Sequence, residues 1–178
     1  MKLNYLSVAL FSAIFGQTAP TFPGKDRFTL MVHSDDARTN NTQIALLRVD
    51  ENIVKNFGYI TSDHKPGLFT LNATILARDA SQYPGDEREA AYIYPTANTP
   101  VLEVGQIIPT GTHYWQSGYN FTEQGYLEIN GTTDGWQACT DIEGYDQYDY
   151  PVASWFENAE DIDHDRCHPI QIRRMILL

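Results

Sequence analysis

The sequence predicts an all-β fold: a single-domain antiparallel sandwich or barrel with one disulfide and at most short helices. Two observations predict it. Short runs rich in β-branched and aromatic residues recur along the chain, each bounded by Pro, Gly, Asn or Asp. Only Cys139 and Cys167 are present, and in an exported chain an even pair reads as a disulfide. Phe28 to Val32 forms the first expected strand and Gln43 to Val49 the second. Phe57 to Ile60, Leu68 to Leu76, Tyr92 to Tyr94 and Val101 to Val104 follow at short intervals. Tyr126 to Ile129 alternates apolar with polar residues, as a half-buried strand does. Asn130-Gly131 then supplies tight-turn chemistry ahead of Trp136 to Cys139. In the last run, Ile170 to Ile176, the side chains of Ile170, Ile172 and Arg174 share one face.

Two segments carry helical features. Asp86 opens a run of helix formers that reaches Ala91. Val152, Trp155, Phe156 and Ala159 have the i, i+3, i+4, i+7 spacing of an amphipathic helix, although a strand over Pro151 to Phe156 fits the neighbouring pattern as well.

The chain opens with Lys2, an apolar run from Leu3 to Phe15, and Gly16. That run is shorter than the roughly 20 residues a membrane-spanning helix needs. It matches a signal peptide over residues 1–16, leaving one secreted domain over 17–178. Asn40, Asn72, Asn120 and Asn130 each stand two residues before a Thr and are N-glycosylation acceptors. The formal charge is −11, and loss of Lys2 makes the mature chain more acidic still. Nucleic acid and anionic membrane surfaces are therefore excluded as expected partners. Joining Cys139 to Cys167 is expected to stabilise the fold by roughly 3–4 kcal/mol.

Chemistry-bearing patterns are sparse. Asp161-x-Asp163-x-Asp165 has the alternation of a calcium loop, but the EF-hand glycine position is Arg166 and its bidentate Glu position is Ile172. His164, Cys167 and His168 are close in sequence, yet a zinc site needs three or four N/S ligands and Cys167 is assigned to the disulfide. The expectation is no metal and no cofactor. His33, His64 and His113 are scattered, and no Ser or Cys stands in a nucleophile-elbow pattern. Glu103, Glu123 and Glu128 lie on or near expected strands and are the candidate carboxylates for glycoside hydrolysis. Tyr114, Trp115, Tyr119, Tyr126 and Trp136 are the candidate carbohydrate-stacking residues; core and rim packing is the competing role for such rings.

The C-terminal half resembles a group of small secreted fungal proteins that includes the PhiA-type cell-wall proteins. The resemblance is carried by Phe28-Thr29-Leu30, by Gly125-Tyr126 ahead of Gly135-Trp136-Gln137-Ala138-Cys139, by Trp155, and by Cys167 leading into Ile170-Gln171-Ile172. The acidic, Tyr-rich segment from Asp141 to Tyr150 and the run from Asp161 to Asp165 depart from that pattern. The resemblance implies an all-β, disulfide-closed protein of a fungal wall or medium. The resulting expectation is a secreted, N-glycosylated interaction protein without enzymatic activity, partnered by wall polysaccharide or an extracellular protein. A polysaccharide-binding module and an effector acting on a host protein are the alternatives, with a glycosidase third.

Overall fold

The computed structural model describes residues 27–50, 55–79, 89–95, 99–105, 117–142 and 147–177. Residues 1–16, expected to be a signal peptide, lie outside them. The strands are β1 (Phe28–His33), β2 (Thr42–Asp50), β3 (Lys55–Thr61), β4 (Phe69–Asn72), β5 (Ile75–Arg78), β6 (Ala90–Pro95) and β7 (Pro100–Gly105). They continue as β8 (Tyr119–Phe121), β9 (Leu127–Ile129), β10 (Trp136–Cys139), β11 (Val152–Trp155), β12 (Cys167–Pro169) and β13 (Gln171–Ile176). Among the described residues the only helical turn is a 3-10 turn over Ala159–Asp161.

The pairings are antiparallel and close on themselves. One ring runs β1–β2–β3–β7–β6–β5–β4 and returns to β1 through Phe28 opposite Phe69. On the other side, β13 pairs with β1 along its whole length, β12 pairs with β10, and β10–β11 returns to β3 and β7. Closure matters because an open edge leaves unpaired N–H and C=O groups that template aggregation. The β8–β9 hairpin forms a second, small sheet and touches β13 through Tyr126 opposite Arg173.

Strand alternation distributes the apolar residues between two clusters. Leu30, Ile44, Ile60, Leu102 and Ile93 face one cluster, which also takes Tyr119, Leu127, Trp136, Trp155 and Ile172. Neighbouring residues on the same strands, Phe57, Tyr59, Val101 and Val152, face the other cluster together with Cys139, Cys167, Ile142 and Phe156. The directly opposed Trp136 and Trp155 meet edge to face at 5.3 Å, a contact worth about 0.5–1.5 kcal/mol beyond burial. The Trp136 indole Nε1–H donates to the Leu127 carbonyl at 3.1 Å, so its one polar atom is satisfied in the core. Gly135 permits this packing: a Cβ there would lie 2.4 Å from the Phe156 carbonyl oxygen. A buried polar tie crosses the ring, where Glu89, 1% exposed, accepts from Arg78 at 2.9 Å and from Asn56 at 3.3 Å.

The expected all-β fold and the Cys139–Cys167 disulfide are present. The two cysteines stand directly opposite each other on β10 and β12. Two local expectations change, the helix-or-strand alternative after Pro151 resolves as a strand, and the Asn130-Gly131 turn forms. The run Leu68 to Leu76 is two strands joined at Ala73-Thr74, with Ala73 at φ 52°. Ala90 and Ala91 belong to β6, not to a helix, while Asp86 to Arg88 lie outside the described residues. The helical spacing over Val152 to Ala159 does not form a helix: Val152–Trp155 is a strand buried on both faces between β10 and β3/β7. Long-range pairing overrides a spacing that a two-sided apolar run produces by default. Finally, Asn130-Gly131 does make a tight turn, with both φ values positive at 53° and 81°. It joins Ile129 to Thr132, and β10 takes β11 and β12 as partners in place of β9.

Candidate functional site

Three segments surround a concave groove of about 620 Å³. The β1–β2 turn brings Arg38 and Thr42, and the β3–β4 turn brings Thr61, Ser62 and Asp63. Residues 140–142 and 147–151, the described ends of a strap between β10 and β11, bring Thr140, Asp141, Tyr148, Asp149 and Tyr150. Ile60, Cys139, Ile142 and Val152 add apolar lining from the second core cluster.

Each segment is held by local hydrogen bonds. The β1–β2 turn folds around Asp36, whose N–H donates to Ser34 Oγ at 3.0 Å and whose carboxylate accepts the Arg38 N–H at 2.9 Å. The Arg38 guanidinium then forks onto the same carboxylate at 3.1 and 2.6 Å. This hydrogen bonding pulls the Asp36 pKa down to about 2 and raises that of Arg38. The positive charge of Arg38 is thus already matched.

In the β3–β4 turn, the Asp63 N–H donates to Thr61 Oγ1 at 3.1 Å. Asp63 accepts the Tyr150 hydroxyl at 3.1 Å, and that bond to the protonated phenol raises the Tyr150 pKa. Tyr148 donates its hydroxyl to the Arg48 carbonyl at 3.2 Å and packs edge to face on buried Tyr59 at 5.2 Å. The His64 ring lies 6.3 Å from Tyr148 and 5.7 Å from Tyr150. Both tyrosines are half-buried, Tyr148 held from β2 and β3 and Tyr150 from the β3–β4 turn.

At the base of the strap, Arg166 donates to the Asp141 carbonyl at 3.2 Å and to the Asp163 carboxylate at 2.6 Å. The guanidinium hydrogen bond lowers the Asp163 pKa. His168, next to the disulfide, brings Nε2 within 3.0 Å of Thr39 Oγ1 and 3.7 Å of Asp36. Burial lowers the His168 pKa, with Asp36 pulling the other way. A Ser/His/Asp relay uses the two ring nitrogens for its two partners. Here Thr39 and Asp36 approach one nitrogen, and Thr39 is fully buried. The trio is a structural tie.

The expected site residues scatter. Tyr119 and Trp136 are 0% exposed, which corrects their assignment as sugar-stacking residues: both are core, and burial raises the Tyr119 pKa. Tyr126 is half-buried, 6.4 Å from His33 with the Arg173 guanidinium 5.7 Å over its ring. Tyr114 and Trp115 lie outside the described residues. Glu103 has no exposure on β7, whereas Glu123 and Glu128 belong to the β8–β9 hairpin unit. None of the three lines the groove, so it brings no pair of them together for glycoside hydrolysis.

Asn40, Asn120 and Asn130 are exposed, and half-buried Asn72 ends β4 beside the turn at Ala73. The Asp163 carboxylate also takes the Asp165 N–H at 3.1 Å, and among the described residues no group of three or more His, Cys, Asp or Glu could hold a metal. Arg38, Asp63, Tyr148 and Tyr150 were not singled out by sequence reasoning, although the Tyr-rich acidic segment was its most unusual stretch. Comparison of the chain with protein-family models, with curated proteins and with solved structures finds no match.

Proposed function

We propose that this chain is an extracellular, fungal cell-wall-associated binding protein that engages its partner through the groove and performs no chemistry there. The observation that carries the reading is the groove itself. It falls within the roughly 300–1,000 Å³ typical of ligand sites, and two immobilised half-buried tyrosines stand in it among hydroxyl and carboxylate groups. Immobilised rings bind at low entropic cost, since their rotamers are set before the partner arrives. Arg38, Asp63, Thr42 and Thr140 are engaged in hydrogen bonds within the turns and the strap, and among the described residues no nucleophile–base pair lines the groove. Export and glycosylation rest on the leader and the four sequons. Wall association rests on the resemblance to PhiA-type proteins.

The test is retention. Secreted protein is incubated with intact fungal wall preparations, and depletion from the supernatant is compared with that of Tyr148→Ala. Wild-type depletion that the variant loses, with its thermal melt still cooperative, is the expected result. Wild type left wholly in solution, or equal retention of both proteins, overturns the reading.

A further inference from the structure

We infer that the groove takes a cationic amino sugar, a short run of glucosamine units whose amines are not acetylated. The inference rests on the binding-protein reading above and adds the ligand class. Charge comes first. Asp63, Asp141 and Asp149 line the groove, and no ion pair to any of them is formed by the described residues. Among the described residues the one lining guanidinium, Arg38, is neutralised by Asp36. The groove is therefore net negative on a chain that is itself strongly acidic, so an incoming cation meets attraction at long and short range.

That cation is extended. A metal ion needs several oxygens converging on one point, and these carboxylates do not converge, since no group of three or more metal-capable side chains forms among the described residues. The remaining lining selects a sugar over a basic peptide. Ser62 offers a hydroxyl able to donate and accept, while Thr42 and Thr140, whose protons go to the Thr39 and Arg166 carbonyls, and Thr61, which already takes the Asp63 N–H, add hydroxyl oxygens. The Tyr148 and Tyr150 rings offer aromatic surface for the C–H face of a pyranose. A glucosamine unit uses all three features: ammonium on carboxylate, hydroxyl on hydroxyl, ring on ring. A lysine side chain uses the carboxylates and leaves the hydroxyls idle.

The experiment is calorimetric titration of the secreted protein at mildly acidic pH and low salt with three probes. These are a glucosamine oligomer, its fully N-acetylated counterpart and an oligolysine of equal charge. The expected result is that the glucosamine oligomer binds about tenfold or more tighter than either, and that added salt weakens it. Asp141→Asn with Asp149→Asn removes two charges that carry no structural hydrogen bond and is expected to cost about tenfold. Equal affinity for the acetylated oligomer overturns the cationic assignment and leaves the binding-protein reading standing. Preference for oligolysine transfers the groove to a basic peptide. No heat with any probe overturns the ligand class, and retention on whole walls reports separately whether the groove binds anything there.

Discussion

Removing the disulfide tests how the groove's strap is held. The bond joins residues 28 apart, and the chain-entropy relation assigns a loop of that length about 3.6 kcal/mol of stabilisation. Both sulfurs are buried in the second core cluster, at 0% and 4% exposure for Cys139 and Cys167, so Cys139→Ala with Cys167→Ala also loses packing worth about 1 kcal/mol. The combined loss is about 4 to 5 kcal/mol. With a urea slope near 2 kcal/mol/M, the unfolding midpoint should fall by about 2 M. Reduced wild-type protein should show most of the same shift, because it loses the closure and keeps the sulfurs. The competing possibility is on the strap itself: Tyr148 to Arg48, Tyr150 to Asp63 and Arg166 to Asp141 already tie it down. If those contacts sufficed, the midpoint would move by less than about 0.5 M. That result would refute the closure argument.

Two further outcomes follow from the packing and the titrating groups. Trp136→Ala empties a fully buried site and orphans the Leu127 carbonyl; a loss of about 3–5 kcal/mol is expected in urea unfolding, and a loss under about 1 kcal/mol would contradict the core assignment. The pKa of His168 is lower in the fold than in the unfolded chain, so unfolding takes up a proton and stability falls as pH drops through about 6.5. Asp36 and Asp163 are also held low; their contribution is present above about 4 and is lost as pH falls toward 2. Thermal melts against pH should therefore show two separate declines, with His168→Gln abolishing the upper one. A melting temperature that rises on acidification through the upper window would reverse the His168 assignment.

Much of the barrel was legible in the sequence because the pattern and the partners agree. Leu30 and Val32 alternate with Met31, and Ile170 shares its buried face with Ile172, as a period of two requires. The failures occur where tertiary pairing decides. Val152 to Phe156 is apolar on both faces, which erases the distinction between helical and extended spacing until β10 and β3 are in place. Ala73-Thr74 is not a recognisable turn dipeptide, so two strands read as one. Tyr119 is a different case, because the information was present. Asn120 is an acceptor only if it faces solvent, and on a strand that places its neighbour Tyr119 inside. The structure shows this arrangement, with Asn120 exposed and Tyr119 buried. Applying the strand period to the sequon would have moved that tyrosine to the core.

The residues that line the groove come from the β1–β2 turn, the β3–β4 turn and the segment between β10 and β11. Trp136, Ala138, Cys139, Trp155, Cys167 and Ile172 are all buried. They set the pairing of β10, β11, β12 and β13, and packing alone accounts for them. Asp141, Tyr148, Asp149 and Tyr150 lie between β10 and β11 and line the concave surface. Loops on a rigid frame tolerate change at little cost to stability, which is why recognition concentrates there. The disulfide connects the two sets: Cys139 belongs to the buried frame, and Thr140 and Asp141, which follow it, line the groove. Substitutions at the exposed lining positions are therefore expected to change what the groove holds while leaving the pairing of the frame intact.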